Sequence, residues 1–519
     1  MTTKMKEDLP YGWILAELGE LAVYVNGRAF KPNEWESHGK PIIRIQNLNN
    51  SSAEFNFSSQ VHEKKYLVKP GDLLFAWSAS LGAYIWEGGE AWLNQHIFKV
   101  HPFSGVSKKF LYYVLKKVTT QLYSKTHGSG MVHVTKKKFE STNVALPPTK
   151  EQHHVVAKIE ELFSKLDKGI ESLKKARDQL KVYRQAVLKW AFEGKLTEEW
   201  RKTHKVEPAE KLLEKIKEER EKHYQQKIEE WKQAVKEWEA SGKQGKKPAK
   251  PKKPKEPPPL TEQELAELPK LPEGWVWNRL GLMTLGVEYG TSTKSKKVGK
   301  VPVLRMGNIQ DFKFVWGDLV YTDDDEEIRK YRLRNGDVLF NRTNSPELVG
   351  KTAIFRGERE AIFAGYLIRI NQIPTIIDSY YLNYFLNSSI ARRHGNLVKT
   401  DGVNQSNING NKLIHYPFPY CCINEQHAVV QEIETRLSIA EKLEQTIDDS
   451  LKKAEVLRQS ILKKAFEGKL LNEQEVEAVR NDPEWEPAEK LLEKIKAEKD
   501  KMKAQNKKGT RKKQMKLFS

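Results

Sequence analysis

The chain has 519 residues and a formal net charge of +20, which predicts several domains and a polyanionic partner. It contains no run of eighteen apolar residues, and residues 1–8 lack the apolar segment of a secretory leader, so we expect a cytoplasmic protein without membrane contact. Cys421 and Cys422 are its only cysteines and are adjacent, which excludes a disulfide framework and a cysteine-based zinc site.

Much of the positive charge is concentrated in two stretches. Residues 243–256 hold seven Lys against one Glu, and residues 499–516 hold nine basic residues against one Asp. Charge in flexible segments predicts nonspecific attraction to nucleic acid and does not by itself predict reading of a sequence. A solvated linker and a solvated tail are the alternative interpretation.

The first segment, residues 1–146, has the pattern of a mixed α+β domain. It opens with Leu-Pro-Tyr-Gly-Trp at residues 9–13, and a strand-like run follows at 41–48. Pro70 and Gly71 form a turn that leads into a buried strand. Residues 110–123 have the pattern of a helix, and a loop with flanking glycines follows it.

A long helix is predicted in the central helical region, residues 147–230. Apolar residues recur there every seven positions among charged side chains, which is typical of a coiled coil; they are Ile159, Leu166, Leu173, Leu180 and Val187. The Ala-Phe-Glu-Gly-Lys-Leu sequence at 191–196 ends the helix, because its glycine can adopt the left-handed conformation. A basic linker rich in Pro and Lys follows at 231–270, and we expect it to be extended and to bury nothing.

The second half of the chain repeats the first. Residues 271–416 open with Leu-Pro-Glu-Gly-Trp and show the same order of elements, including a helix over 380–393. Residues 425–470 match 151–196 without a gap, within a distal helical region at 417–498 that precedes a basic tail at 499–519. A repeat of this size predicts a duplicated architecture.

The two long helices need a partner for their apolar seams, and antiparallel pairing with each other is the simplest arrangement. About 45 residues at roughly 1.5 Å each give a rod of roughly 65 to 70 Å. The alternative is that each helix covers its own neighbouring domain. Residues 207–217 and 486–496 are identical in sequence, which suggests either a surface read by two copies of one partner or a recent duplication.

The two α+β segments agree at scaffold positions and differ in the loops between them, which predicts two binding sites of one kind with different targets. Arg, Asn and Gln read bases, whereas Lys, Ser and Thr bind phosphates. In the first segment the candidate DNA-binding residues are Arg28, Lys31, Trp77, Ser78, Ser80, Ser129, Met131, His133, Thr135, Lys136 and Lys137. In the second segment they are Thr291, Ser292, Lys294, Arg342, Thr343, Asn344, Asn404, Gln405, Ser406 and Asn407. For each of them, a solvated loop or a satisfied turn is the alternative.

These features resemble the specificity subunit of a type I restriction-modification system. The resemblance rests on the two Leu-Pro-x-Gly-Trp openings, the Leu-Pro-Pro-Thr-Lys-Glu-Gln entry at 146–152 and the two Ala-Phe-Glu-Gly-Lys-Leu ends. It implies an α+β fold with two homologous target recognition domains, joined by two long helices that form an antiparallel coiled coil with pseudo-two-fold symmetry. It also implies that each domain reads one half of a split site in double-stranded DNA.

The same resemblance implies a chain without catalytic activity, cofactor or metal of its own. Two modification subunits would dock on it, carrying S-adenosylmethionine and methylating adenine, and restriction subunits would use ATP and Mg²⁺. Candidate contacts with partner subunits are Phe192, Leu196, Leu212, Leu213, Phe466, Leu470, Leu491 and Leu492. The length of the rod limits the separation of the half-sites to about 20 base pairs.

Motifs for catalysis in the chain itself are incomplete. The Asn/Asp-Pro-Pro-aromatic loop of an adenine methyltransferase does not occur, and Gly350-Lys351-Thr352 lacks the earlier glycine of a phosphate-binding loop. The acidic residues at 482–486 lack the strand and lysine of a nuclease site. Two other interpretations stay open: a coiled-coil adaptor with two peptide-binding modules, and a self-sufficient restriction enzyme, which the missing motifs disfavour.

Overall fold

The structure is a computed structural model that describes residues 9–50, 52–124, 132–133, 135–251, 253 and 256–515. The chain divides into two compact units, Met1–Lys174 with Asp448–Ser519, and Lys175–Ile447. Each unit holds one α+β domain and parts of both long helices. A unit is therefore assembled from segments that lie far apart in the sequence.

The described residues of the first domain form short strands and four α-helices. Its strands are β1 (Ile14–Glu17), β2 (Ala22–Asn26), β3 (Lys40–Ile43), β4 (Asn56–Ser58), β5 (Leu67–Val68), β6 (Leu73–Ala76), β7 (Ser78–Ala79), β8 (Gly82–Ile85), β9 (Ala91–Leu93), β10 (Ile97–Pro102), β11 (Val132–His133) and β12 (Asn143–Leu146). Its helices are α1 (Leu18–Leu21), α2 (Ile45–Asn49), α3 (Lys108–Ser124) and α4 (Lys136–Glu140). The helix predicted over 110–123 is confirmed by α3.

A four-stranded antiparallel sheet, in the order β2-β10-β6-β8, forms the centre of the first domain. Phe110, Leu111 and Val114 of α3 are buried in the core of this domain. A second sheet, β4-β3-β9-β5, contains a parallel pair of β3 with β9. Two small antiparallel sheets complete the domain: β1 pairs with β12, and β7 pairs with β11.

The chain is largely helical from the first domain to residue 240. This region contains α5 (Thr149–Phe192), α6 (Glu198–Thr203) and α7 (Ala209–Ala240), and the short helix α8 (Glu262–Ala266) follows near the end of the linker. Gly194 ends α5 as predicted, with φ of +71°. The Lys195 N–H donates to the Trp190 carbonyl at 2.9 Å, as at the end of a helix with a left-handed glycine.

The second domain contains the remaining strands. They are β13 (Val276–Arg279), β14 (Thr284–Tyr289), β15 (Val301–Leu304), β16 (Ile309–Gln310), β17 (Lys313–Phe314), β18 (Val320–Thr322), β19 (Val338–Asn341), β20 (Thr343–Asn344), β21 (Thr352–Ile354), β22 (Ile362–Phe363), β23 (Leu367–Gln372), β24 (Thr400–Asp401), β25 (Ser406–Asn407) and β26 (Pro417–Tyr420). Its helices are α9 (Asp325–Tyr331), α10 (Ser379–Leu386), α11 (Ser389–Val398) and α12 (Gly410–Ile414). The single helix predicted over 380–393 is wrong, because Ser388 starts a new helix by accepting a hydrogen bond from the Ala391 N–H.

The second domain repeats the sheet connections of the first. Its central sheet, β14-β23-β19-β21, corresponds to β2-β10-β6-β8, and β13-β26 corresponds to β1-β12. The sheet β18-β15-β22 keeps the parallel pair, now between β15 and β22. The small sheet β20-β25-β24 corresponds to β7-β11 with one strand more. Strand order and direction therefore confirm the duplication that the sequence predicts.

Three helices follow the second domain: α13 (Ile423–Phe466), α14 (Glu473–Arg480) and α15 (Ala488–Met515). α13 has 44 residues, as does α5. In the first unit the start of α5 packs against the end of α13, where Ile159 and Ile461 share a core. In the second unit the end of α5 lies beside the start of α13, and Arg184 Nη2 is 2.8 Å from Glu444 Oε2. Antiparallel pairing of the two helices is thereby confirmed.

Each long helix ends in the core of the domain from the other half of the chain. The Phe192 ring, at the end of α5, lies 5.1 Å from Tyr381 and 5.2 Å from Phe385 of the second domain. The Phe466 ring, at the end of α13, lies 5.6 Å from Phe110 of the first. The alternative prediction, that each long helix covers only its own neighbouring domain, is therefore wrong.

The repeated sequence motifs meet at one junction in each unit. A Cβ atom at position 468 would lie 2.1 Å from Cγ of Pro10, and one at position 194 would lie 2.5 Å from Cγ of Pro272. The Leu-Pro-x-Gly-Trp openings therefore pack on the Gly-Lys-Leu helix ends. Both glycines also have positive φ, so a side chain there would add backbone strain to the clash.

A buried glutamate at the start of each long helix strengthens these junctions. Glu151 accepts hydrogen bonds from Trp13 Nε1 at 2.6 Å and from Trp485 Nε1 at 3.1 Å. Glu425 accepts from Arg201 Nη1 at 2.6 Å and from the Thr197 hydroxyl at 2.9 Å. Glu151 and Glu425, the first residues of the repeated Glu-Gln-His sequence, are thus buried hydrogen-bond acceptors in both units, and their donors differ.

The boundaries of the linker, tail and second domain need correction. α7 continues into the predicted linker, and the end of that linker docks on the second domain, where Pro257 is buried and Pro258 O accepts from Arg279 Nε at 3.1 Å. The expectation that this linker buries nothing is therefore wrong at its end. The tail is helical as far as Met515, and β26 belongs to the second domain although it lies beyond residue 416.

Candidate nucleic-acid interface

Three chain segments of the first domain meet beside the small sheet β7-β11. Asn26 ends β2, Trp77 follows β6, and His96 precedes β10. Trp77 Nε1 donates a hydrogen bond to Asn26 Oδ1 at 3.0 Å, and the indole ring lies 5.0 Å from the His96 ring and 5.6 Å from that of Phe98. Trp77 is therefore a partly buried, positioned side chain rather than a free loop residue.

Arg28 and Lys31 follow β2 and differ in availability. Arg28 Nη2 donates to Glu34 Oε1 at 2.5 Å, and its guanidinium lies 4.8 Å from the centre of the Phe30 ring. The hydrogen bond from Arg28 lowers the pKa of the Glu34 carboxyl, so this partner stays ionised. Lys31 is exposed. Of the two, Lys31 is better placed to meet a phosphate.

The small sheet of the first domain carries further candidates. Ser78 is 6% exposed within β7, opposite His133 of β11, so its hydroxyl is not at the surface. This corrects the prediction for Ser78. Ser80 is half-buried. Ser129 and Met131 lie outside the described residues.

The segment after β11 holds three candidates on or beside α4. Thr135 caps α4 by accepting from the Lys138 N–H at 3.4 Å. Lys136 Nζ donates to the Tyr24 carbonyl at 2.9 Å. Lys137 is exposed, so it is the candidate of this group with the best access to phosphate.

In the second domain the candidates converge on the sheet β20-β25-β24. Asn407 Nδ2 donates to the Thr343 hydroxyl at 2.8 Å, and Asn344 Oδ1 accepts from the Ser345 N–H at 2.8 Å. Asn404 and Gln405 are exposed in the turn between β24 and β25. The structure thus brings five predicted residues together on one small sheet and its turn; they are Thr343, Asn344, Asn404, Gln405 and Asn407.

Two hydroxyl-bearing candidates of this domain are buried. Ser406 is fully buried and donates to the Asp401 carboxylate. Thr291 is 5% exposed, and its hydroxyl accepts from the Thr293 N–H at 3.0 Å. Their prediction as DNA-binding residues is wrong, because a satisfied, covered hydroxyl shapes a turn instead of binding a ligand. Ser292 and Lys294 in the same loop are exposed.

Arg342 directly precedes β20 and rests on an aromatic ring. Its guanidinium carbon lies 4.9 Å from the centre of the Tyr289 ring, and its Nη1 lies 3.5 Å from the Gly365 carbonyl. Within the described residues it has no carboxylate partner, whereas Arg369 of the same domain is paired with both Glu288 and Asp337. Arg342 therefore keeps hydrogen-bond donors for a ligand.

Sequence reasoning missed Tyr289 and Tyr366. Tyr289 is 40% exposed and Tyr366 is 51% exposed, so both present large rings at this edge. The alignment of the two halves contained a signal for Tyr289, since it precedes Gly290 as Asn26 precedes Gly27. Tyr366 has no comparable sequence mark, because its exposure depends on the loop between β22 and β23.

The candidate contacts with partner subunits lie largely inside the chain's own cores. Four of them are buried, at 6% exposure or less, which contradicts their assignment to a partner-facing surface; they are Phe192, Leu212, Phe466 and Leu491. The others are partly buried and pack against the same cores; they are Leu196, Leu213, Leu470 and Leu492. The identical segments at 207–217 and 486–496 therefore share a packing role in their two units.

Two motifs rejected as catalytic have structural tasks. Lys150 Nζ lies 3.1 Å from Asp482 and 2.6 Å from Glu484. Thr352 begins a strand and is fully buried, so Gly350 does not lead into the helix of a phosphate-binding loop. Across the described ranges, we find no helix able to span a membrane and no cluster of three His, Cys, Asp or Glu side chains arranged to hold a metal.

A family model described as the type I restriction modification DNA specificity domain matches residues 10–182 and 286–453. The chain belongs to this family. As a type I specificity subunit it carries two copies of the specificity domain, one in each half. It is 24% identical over 498 residues to the EcoBI specificity subunit of Escherichia coli, covering 94% of this chain and 92% of that one.

Other type I specificity subunits are similar over the same length. The EcoKI specificity subunit of Escherichia coli strain K12 is 25% identical over 516 residues, covering 94% of this chain and 96% of that one. The HsdS subunit of Thermoanaerobacter tengcongensis has a TM-score of 0.50 at 18% identity, covering 89% of this chain and 98% of that one. A chain from a structure on assembly and conformational transition of the type I R-M system has a TM-score of 0.54 at 17% identity, covering 89% of this chain and 99% of that one. These neighbours share the fold of this chain.

Proposed function

We propose that this specificity subunit reads a split site in double-stranded DNA, with one half-site for each domain. The observation that carries the proposal is the contrast between the two domains at equivalent positions. They share strand order, strand direction and the small sheet beside the central one. The side chains there differ, since Asn26 and Trp77 in the first domain stand where Tyr289 and Arg342 stand in the second. One scaffold with two sets of polar side chains suits two different base sequences.

In the second domain, the polar side chains on and beside the sheet β20-β25-β24 favour base reading over general attraction to DNA. Asn404 and Gln405 can donate to and accept from an adenine edge, and Arg342 can donate to guanine. Lys294 of the second domain, and Lys31 and Lys137 of the first, are exposed cations suited to phosphates. Contacts between the lysines and phosphates would fix the position of the subunit on the duplex. The amides of Asn404 and Gln405 and the guanidinium of Arg342 would select the base sequence.

The specificity subunit itself contributes no catalysis in this proposal. Modification subunits bring S-adenosylmethionine and methylate adenine at the site, and restriction subunits, where present, bring ATP and Mg²⁺. Two modification subunits and the DNA are its partners, and it works in the cytoplasm. The long helices, each of 44 residues or roughly 66 Å, suit the task of fixing the spacing between half-sites.

The proposal is tested by methylation-aware sequencing of DNA from cells that express this chain together with its methyltransferase partner. Cells that lack only this chain are the control. We expect methylated adenines that depend on the chain and lie in a bipartite motif with an unread spacer of fixed length. Chain-independent methylation by an active partner, or a continuous motif, would contradict the proposal.

The adaptor alternative predicts protein partners without any chain-dependent DNA motif. The match of the specificity-domain family to both halves does not support it. An adaptor also does not account for the two basic stretches at 243–256 and 499–516, whereas in a DNA-bound subunit they would raise the affinity for DNA.

A further inference from the structure

Each domain contains one pair of contacting side chains, and the backbone around the pair is equivalent in the two domains. Gly27 follows Asn26, and Gly290 follows Tyr289; a Cβ at either glycine would lie about 2 Å from a carbonyl oxygen, of Asn94 or Phe363 respectively. The chain approaches so closely at both places that only glycine fits. The preceding residue is therefore fixed at the same point of each domain.

The second member of each pair follows the neighbouring strand. The Trp77 N–H donates to His96 O at 3.0 Å, and the Arg342 N–H donates to Tyr366 O at 3.0 Å. Residues 26 and 77 touch through a hydrogen bond, and residues 289 and 342 touch through a ring and a guanidinium. The fold thus places two contacting side chains at equivalent positions and gives them different chemistry in the two domains.

The state of Arg342 indicates what it binds. Its Nε is buried without an acceptor, and its single side-chain hydrogen bond within the described residues is the 3.5 Å contact with Gly365 O. The guanidinium carbon lies over the Tyr289 ring, 4.9 Å from its centre, and this contact with the ring face does not consume the outer N–H groups. The Tyr289 ring is itself held, since its hydroxyl accepts from the Gly410 N–H at 2.7 Å. A planar donor fork on a fixed ring matches the O6 and N7 acceptors of guanine.

Resting on the proposed function, we propose that Arg342 reads a guanine in the half-site of the second domain through the major groove, and that Tyr289 is the residue that positions it. Positions 289 and 342 form one specificity-determining pair of the second domain, beside the amides of Asn404 and Gln405, and positions 26 and 77 form the equivalent pair of the first. The first domain lacks a guanidinium at this point, so its half-site is not read in this way.

Methylation-aware sequencing of cells that express variants with the methyltransferase partner tests the assignment. Arg342→Gln should relax the preference for guanine at one position of one half-site by about tenfold, and leave the other half-site and the spacer unchanged. Tyr289→Leu should relax the same position. Tyr289→Phe loses the hydroxyl contact with the Gly410 N–H but keeps the ring beside the guanidinium, so it should retain most of the preference. Arg359→Gln is the matched control, because the Arg359 guanidinium also lies over a ring, 4.1 Å from the centre of Trp316, and Arg359 is exposed elsewhere in the domain.

Binding of the purified chain with its methyltransferase to modified duplexes distinguishes the groove. Replacing the guanine with 7-deazaguanine removes N7 and should weaken binding of the unsubstituted chain by about tenfold, but not that of Arg342→Gln. Inosine keeps O6 and N7 and should leave binding unchanged. Retained methylation of the rest of the motif shows that a variant is folded.

Each contrary result has a distinct meaning. Absence of any chain-dependent motif in unsubstituted cells would defeat the proposed function itself. A split motif without guanine, or one whose guanine preference survives Arg342→Gln, would overturn this inference and leave the proposed function standing. Loss of binding with inosine but not with 7-deazaguanine would also overturn it, because the contact would then lie in the minor groove.

Discussion

Gln426 anchors the second domain to the start of α13, and we predict that its loss loosens this anchor. The side chain is fully buried. Its Nε2 donates to Ile376 O at 2.8 Å and to Cys421 O at 2.9 Å, and its Oε1 accepts from the Asp378 N–H at 2.9 Å. Asp378 in turn caps α10. The Gln426 amide therefore connects three places: Cys421 before α13, Ile376 in the loop before α10, and Asp378 at the start of α10.

Gln426→Met preserves most of the volume and removes three hydrogen bonds. It leaves two carbonyls and one N–H buried without this partner, and such groups cost about 1 to 3 kcal/mol each. Carbonyls tolerate this better than N–H groups, so we expect a total of about 3 to 5 kcal/mol. About 3 kcal/mol corresponds to faster opening by roughly two orders of magnitude.

Hydrogen exchange followed by mass spectrometry on the full chain measures this effect locally. We expect the peptide that contains Asp378 and the start of α10 to lose protection, while peptides of the first domain keep theirs. Gln431→Met is the control, since Gln431 lies on the same helix and is exposed. If both variants left exchange at Asp378 equally unchanged, the anchoring role of Gln426 would be refuted.

Three further predictions concern the linker, pH and the spacer. Arg279→Met should remove the contacts of Nη2 with both carboxylate oxygens of Glu264, at 2.8 and 2.7 Å, and weaken docking of the linker end by about 1 to 2 kcal/mol, since Glu264 is 40% exposed. Trypsin should then cut residues 243–256 faster than in Lys300→Met, an exposed control. Burial lowers the pKa of His394 to about 4, so between pH 6.5 and 4 the unfolded chain takes up a proton that the folded one refuses; the free energy of unfolding should fall there by about 1 kcal/mol after allowing for solvent screening, and urea titrations should show a smaller fall in His394→Phe. Removing one heptad from the middle of both long helices should shorten the spacer of the methylated motif by about 3 base pairs, since seven residues span roughly 10 Å, and an unchanged spacer would show that the helices do not set it.

The sequence predicts the architecture well where a pattern has one physical cause. Apolar residues every seven positions require a long paired helix, and both helices are found with that pairing. The sequence of α13 also has an apolar residue every seven positions, and each of these residues is buried; they are Ile433, Ala440, Ile447, Ala454 and Ile461. Gly194 and Gly468 follow the ends of their helices with positive φ, as the Gly-Lys-Leu sequence predicts, and the Leu-Pro-x-Gly-Trp openings pack on these ends. That they touch each other could not be read from sequence, because the contact joins segments more than 450 residues apart in the first unit.

The predictions failed where burial depends on tertiary packing. Phe192 and Leu212 resemble surface anchors in an otherwise charged helix, yet the second domain covers both. Ser406 and Thr291 have the side chains of phosphate ligands, but their hydroxyls satisfy nearby turns. Residue type alone does not distinguish a hydroxyl that binds a ligand from one that shapes a loop, since both need the same donor and acceptor.

The structure brings several base-reading candidates together on the second domain's small sheet. Asn404 and Gln405 lie in an exposed turn there, as their polar sequence suggests. Tyr289 was missed because an aromatic residue at the end of a strand usually belongs to the core. Its proposed role depends on a ring that stays 40% exposed beside a guanidinium, and this arrangement arises only when two strand ends lie side by side.

Selection from a library of random DNA duplexes, using the purified chain with its methyltransferase, tests split recognition most directly. We predict that bound duplexes share two blocks of defined sequence, separated by a gap of constant length that does not exceed about 20 base pairs. A single continuous block, or two blocks at variable separation, would contradict a subunit that reads two half-sites with two domains on paired helices.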